Sequence, residues 1–201
     1  MNKPLLILFI LIGSFAFGQN LIYNGDFEIY DDCPTALSAP NDLQIEKATG
    51  WYAPSLGTSD YFNRCGDQAS GVSIPNNFLG FQETNGNGYS GINISIAPLG
   101  VDWFEYLQIR LNSSLKAGIL YKFKFDVNLA NSSHFAFQKI GAWFTKSAVS
   151  SNSSGLLISS MPDIANTNGF LSDTIEWETR EGEFISSGKE EYLTIGCYSD
   201  T

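Results

Sequence analysis

The sequence predicts an all-β sandwich folded as one domain. Apolar and polar residues alternate strictly in run after run, and clusters of turn-forming residues separate those runs. No stretch keeps the periodicity of a long amphipathic helix, which argues against a fold of strands alternating with crossover helices.

Taken in order, Ile92, Ile94 and Ile96 alternate with Asn93 and Ser95, and Leu107, Ile109 and Leu111 with Gln108 and Arg110. The clearest strand signal is Tyr121, Phe123, Phe125, Val127 and Leu129, interleaved with Lys122, Lys124, Asp126 and Asn128. Ile140, Ala142 and Phe144 alternate with Gly141, Trp143 and Thr145, and Leu193, Ile195 and Cys197 with Thr194 and Gly196. Turn clusters lie between them at Asn85-Gly86-Asn87-Gly88, Asn112-Ser113-Ser114, Lys116-Ala117-Gly118, Asn131-Ser132-Ser133 and residues 150–155. Residues 159–168, around Met161-Pro162-Asp163, read as a loop with room for a short helical turn.

The chain opens Met1-Asn2-Lys3, runs apolar over residues 5–17 and reaches small residues at Ala16-Phe17-Gly18. That pattern reads as a signal peptide over residues 1–18, since the apolar core is shorter than the roughly 20 residues a spanning helix needs. The sequence therefore predicts an exported protein, secreted or on the cell surface, with no membrane insertion after cleavage. Residues 19–201 are of a length that fits a single domain. Without Lys3, 10 basic side chains face 21 acidic ones, a net charge of −11. Nucleic acid and anionic membrane surfaces need a concentrated positive patch, so neither is an expected partner.

Three cysteines in an exported chain suggest one disulfide and one leftover thiol. Cys33 and Cys65 both lie in turn-rich segments and are paired on that ground, whereas Cys197 sits in an alternating apolar run as a small buried hydrophobe. Zinc is not expected, because the cysteines lack paired spacing and His134 is the single histidine.

Enzyme-like strings fail on context. Gly86-Asn87-Gly88-Tyr89-Ser90-Gly91 has the spacing of a dinucleotide loop, but a strand rather than a helix follows it. Ser113-Ser114-Leu115-Lys116 matches a serine acyl-enzyme string without its companion motifs. His134 reads as a surface-loop residue rather than a triad member. Asp31-Asp32 and Glu190-Glu191 read as solvated charges, since neighbours on a strand point to opposite faces. The sequence thus predicts no enzyme.

Asn24-Gly25-Asp26-Phe27-Glu28, followed by Gly50-Trp51, supplies two core anchors, Phe27 and Trp51. The string resembles the opening of the galactose-binding-like jelly rolls used as carbohydrate-binding modules. That resemblance implies a structural calcium ion held by Glu28, with Asp26 beside it; the alternative is that Glu28 caps a turn. A wider resemblance rests on Cys33-Pro34, Asp60-Tyr61-Phe62-Asn63-Arg64-Cys65, Val72 to Pro75 with Asn76-Asn77, Gly80-Phe81-Gln82, Tyr89-Ser90-Gly91, Glu105-Tyr106-Leu107-Gln108 and Tyr192-Leu193-Thr194-Ile195-Gly196. These strings look like a jelly-roll module at the N-terminus of secreted surface proteins of gliding Gram-negative bacteria. In that family the module often precedes a further domain and closes with one more strand. The resemblance therefore implies a chain incomplete at its C-terminus, lacking its final strand and belonging to a larger surface protein.

Period-two geometry puts Trp143 on the face opposite Ile140 and Phe144, and Tyr106, Gln108 and Arg110 opposite Leu107, Ile109 and Leu111. With Asn128, these residues would form an aromatic and amide-rich surface suited to a sugar. The alternative is a loop that covers Trp143. The expected function is a non-catalytic module that binds glycan or cell-surface polysaccharide, or mediates adhesion. The competing expectation is a structural spacer with no small ligand.

Overall fold

Period-two alternation governs the backbone of the computed structural model, which describes residues 18–95, 102–158 and 160–198. The expected signal peptide falls almost wholly outside the described residues, as do Ile96 and the last three positions. The described strands are β1 (Trp51–Tyr52), β2 (Asp60–Asn63), β3 (Asn76–Asn77), β4 (Gly80–Phe81), β5 (Gly88–Gly91), β6 (Ile94–Ser95) and β7 (Trp103–Phe104). They continue with β8 (Tyr106–Arg110), β9 (Leu120–Val127), β10 (Ile140–Thr145), β11 (Ile164–Ala165), β12 (Glu178–Ile185) and β13 (Tyr192–Cys197). Two short 3₁₀ turns, Gln44–Lys47 and Gln68–Ser70, are the helical elements among the described residues.

The protein is an all-β sandwich. One layer is a five-stranded antiparallel sheet in the order β1-β8-β13-β10-β11. Against its inner face lie the β9/β12 ribbon and the 3₁₀ turn at Gln44–Lys47, together with Tyr61 of the β2/β5 pair. The alternating apolar residues supply the core between them: Leu107 and Ile109 from β8, Ile140 and Ala142 from β10, Leu193 and Ile195 from β13, and Phe123 from β9. Phe144 stacks on Phe184 at 4.6 Å and meets Phe123 edge-on at 5.5 Å, joining the two layers through aromatic contacts.

Strand β12 has no apolar alternation to announce it. It pairs with β9 along its whole length, from Glu178 opposite Val127 to Ile185 opposite Leu120. Its inward row is Glu178, Arg180, Gly182 and Phe184. Arg180, 5% exposed, is neutralised by Glu178 at 2.9 Å, and Gly182 leaves room for Ile164 of β11, to which an added Cβ would come within 3.0 Å. The strand β11 itself corrects the loop expected over residues 159–168, because Ile164 and Ala165 pair with Ala142 and Gly141 as an edge strand. Of the strand expected through Ile92, Ile94 and Ile96, the described part is β6 at Ile94–Ser95, and Ile92 lies in the link between β5 and β6.

The Asn24–Glu28 string is a knot that fixes the N-terminal segment to β1. Asn24 donates from Nδ2 to the carbonyls of Ile29 and Thr49 and accepts from the Ile29 amide, while Trp51 donates its Nε1–H to the Asn24 carbonyl. Phe27 stacks on Trp51 at 4.9 Å, so both are the core anchors their sequence context predicts. Cys33 and Cys65 form the expected disulfide across Cα atoms 5.5 Å apart, and Cys197 is a buried free thiol. A disulfide is compatible with an extracellular protein. Among the described residues no helix is long and apolar enough to cross a membrane.

Candidate functional site

Trp143, Gln108 and Tyr106 do share the outer face of the five-stranded sheet, with Trp143, Thr194 and Gln108 in one cross-strand row. That face is not open. Trp143 is 3% exposed and Tyr106 and Gln108 are fully buried, because the chain after β10 turns back and lies across them. The loop uses up their polar atoms. Trp143 Nε1–H donates to the Ser160 carbonyl at 3.1 Å, and Gln108 both donates to the Val149 carbonyl and accepts from its amide. Tyr106 donates to the Cys197 carbonyl and accepts from the Leu157 amide, and burial pushes its hydroxyl up to about 12. Leu157, Ile158 and Ala165 seal the edges of this second small core. The outward aromatic surface read from alternation is thus interior, since a serine-rich loop carries enough aliphatic side chains to cover it.

Asn128 lies apart from these residues, beyond the end of β9 in the other layer. Its Nδ2 donates to the carbonyls of Asp173 and Glu176, which makes it a staple for the loop before β12.

Arg110 is the predicted residue left accessible. At the end of β8 its Nη2 meets Glu191 Oε2 at 2.8 Å, and the pair borders an open cleft of about 480 Å³ lined also by Tyr23, Leu111, Asn112, Ser113 and Ser114. The geometry follows from backbone pairing. Ile22 bridges to Leu111, and the Asn112 amide donates to the Leu21 carbonyl, so the N-terminal segment runs beside β8 and carries Tyr23 to the cleft. The Tyr23 ring rests against Gly50, where an added Cβ would lie 3.4 Å from its Cδ1. Tyr23 is 41% exposed, a large aromatic residue open to solvent. Glu191, through its hydrogen bond and charge, holds Arg110 firmly in its charged form. Alternation alone could not find Tyr23 or Glu191, since one lies in an irregular segment and the other just before a strand.

The two expected calcium ligands are placed differently. Glu28 reaches across to the Asn85–Gly88 turn, where its carboxylate accepts the Asn87 amide and, at 2.8 Å, the Asn87 side-chain Nδ2–H. Burial disfavours its charge, but these hydrogen bonds and nearby Arg64 outweigh it and lower the Glu28 carboxyl below its ordinary value. Asp26 is exposed. No group of three or more His, Cys, Asp or Glu side chains stands ready for a metal among the described residues.

Glu190 corrects the expectation of a solvated charge. It is 5% exposed and its carboxylate accepts from Ser186 Oγ, Ser187 N and Oγ, and Gly188 N, closing the turn before β13. Burial opposes the charge, yet this set of donors brings the carboxyl down to about 2. His134 is exposed in a loop, and the Gly86–Gly91 string runs directly into β5 with no helix behind it. No protein-family model matches the chain, and neither a curated protein nor a solved structure matches it either.

Proposed function

We propose that this protein is an exported, non-catalytic binding module that takes a neutral glycan, such as a cell-surface polysaccharide, in the cleft between Tyr23 and the Arg110–Glu191 pair. One observation carries the reading: an exposed aromatic ring and a fixed donor–acceptor pair face the same open cleft, with Asn112, Ser113 and Ser114 beside them. A sugar ring offers apolar C–H faces to an aromatic and hydroxyls to amides, hydroxyls and charged pairs. Because Glu191 neutralises Arg110, the cleft suits an uncharged ligand. Of the described lining residues only Glu191 carries a carboxylate, whereas glycoside hydrolysis uses two, so the proposal is binding without turnover.

The test is a glycan array followed by titration of the purified protein, with Tyr23→Ala and Arg110→Ala alongside. Saturable binding weakened by both changes supports the reading, and a well-folded protein that binds nothing overturns it. That second outcome favours the spacer reading, to which the burial of Trp143 lends support by removing the aromatic surface expected on the sheet. Either reading suits a domain of a larger surface protein.

The reading includes a structural calcium at the Glu28 turn. The Glu28 carboxylate, which also accepts the Asn87 amide and side chain, would supply the charged oxygens, with exposed Asp26 close by in the chain. A melting temperature that rises with calcium in the wild type, but not in Glu28→Gln, is the expected result; identical melting in calcium and in chelator rules the ion out.

A further inference from the structure

We infer that the Phe78 hairpin is a second glycan platform, on which a neutral sugar ring stacks against Phe78 while the amides of Gln68 and Asn76 bond its hydroxyls. The platform shares no residue with the Arg110 cleft, so either site can fail without the other.

Phe78 is 60% exposed, yet it is not a loose side chain. Its amide donates to the Gly71 carbonyl at 3.0 Å, and its ring lies against the Gly71 backbone, where an added Cβ would sit 2.3 Å from Cε2. Gly71 ends the Gln68–Ser70 turn at φ +66°, a left-handed conformation that suits glycine. One side of the ring is thus backed by main chain while much of its surface stays open. Asn77 fixes the hairpin from below, donating to Ser73 O and Tyr89 Oη and accepting from Leu79 N. Such a ring pays little conformational entropy when a ligand arrives.

The surroundings define the ligand class. Phe78 borders an open cleft of about 450 Å³ whose other lining residues are Gln68, Ala69, Gly71, Asn76 and Asn77. None of these is charged, so nothing selects an ionic ligand. A purely apolar partner would leave the Gln68 and Asn76 amides without hydrogen-bonding partners, a cost that hydroxyl groups remove. Asn76 stands opposite Phe81 in the β3/β4 pair, so their side chains share a face; Phe81, 53% exposed, extends the aromatic surface beside that amide. Aromatic rings flanked by side-chain amides match a pyranose, which carries an apolar face and an equatorial rim of hydroxyls.

The experiment is a nuclear magnetic resonance titration of the purified protein with neutral hexasaccharides of glucose, mannose, galactose and xylose, monitoring side-chain amides. The expected result is saturable shifts of the Gln68 and Asn76 amides with at least one sugar. Phe78→Ala should weaken that site about 3- to 10-fold, Phe78→Trp should retain it, and Tyr23→Ala should leave it unchanged. Because Phe78 is exposed, the alanine variant should keep the wild-type spectrum elsewhere, so a loss of binding reports on contact. Shifts confined to the Arg110 cleft would overturn the second platform and spare the first. No shift at Gln68 or Asn76 with any sugar, or equal affinity in Phe78→Ala, would overturn the platform as well.

Discussion

The Tyr106 ring lies directly against the backbone of Gly196 on the neighbouring strand, where an added Cβ would fall 2.2 Å from Tyr106 Cδ1. The ring cannot swing aside, because it is fully buried and its hydroxyl is fixed between the Cys197 carbonyl and the Leu157 amide. Gly196→Ala should therefore destabilise the protein by about 1–3 kcal/mol, the range for overpacking a filled core. Gly155→Ala, where the added atom meets only a serine hydroxyl, is the control and should be nearly neutral. Denaturant unfolding of the two variants decides it: equal midpoints would mean the Tyr106 contact is soft.

Trp143 behaves as a core residue in the same cluster, so its removal is a stability experiment. Trp143→Ala should cost about 3–5 kcal/mol, as for other large-to-small changes at buried aromatics. Its glycan affinity, measured under conditions where the variant remains folded, should equal that of the wild type. A variant with unchanged stability and lost sugar binding would place the ligand on this sheet after all.

How much of this was legible in the sequence depends on what each residue faces. The rows of β8, β9, β10 and β13 could be read because their inward positions are apolar, and period two then assigned faces correctly, Trp143 included. Which outer face meets water is a tertiary fact: it depends on where residues 146–158 fall after β10, and alternation says nothing of that. Strand β12 escaped notice because Arg180 and Gly182 occupy inward positions where the pattern demands apolar residues. Glu190 looked like half of a solvated pair because its serine and glycine donors make a turn only once the chain folds. The candidate sites were least legible, since Tyr23 reaches the cleft it shares with Arg110, and Phe78 reaches Gly71, through irregular backbone.

The thiol inventory gives a direct check. Burial pushes the Cys197 thiol up to about 11, and the other two cysteines are joined. A thiol reagent at neutral pH should label essentially nothing in the native protein and one group per chain after denaturation without reductant. Reducing Cys33–Cys65 closes no new contact but frees a loop of 32 residues' separation, which should cost about 3 to 4 kcal/mol on unfolding. Rapid labelling of the native chain would mean that the β13 end opens readily.

Two carboxyls should shape the pH dependence of stability in opposite directions. Burial raises Asp60 from 3.8 to about 7; the Ser38 amide, donating to its Oδ1 at 2.7 Å, opposes this, and the charge of nearby Glu105 adds to it. A raised folded value means that the folded state holds the proton more tightly, so this contribution is full below pH 3.8 and is lost as pH rises through about 7. Glu190 is the reverse: its value falls from 4.5 to about 2, so its contribution is present above pH 4.5 and is lost as pH drops towards 2. Asp60→Asn should then flatten the stability profile between pH 4 and 7 and gain most over the wild type above pH 7, because the amide keeps an acceptor for Ser38 and carries no charge. Glu190→Gln should be destabilised at neutral pH and converge on the wild type near pH 2. Unfolding free energies across that range measure both. An Asp60→Asn profile parallel to the wild type at every pH would show that folding leaves the Asp60 carboxyl where it is in the unfolded chain, and that its burial does not raise it.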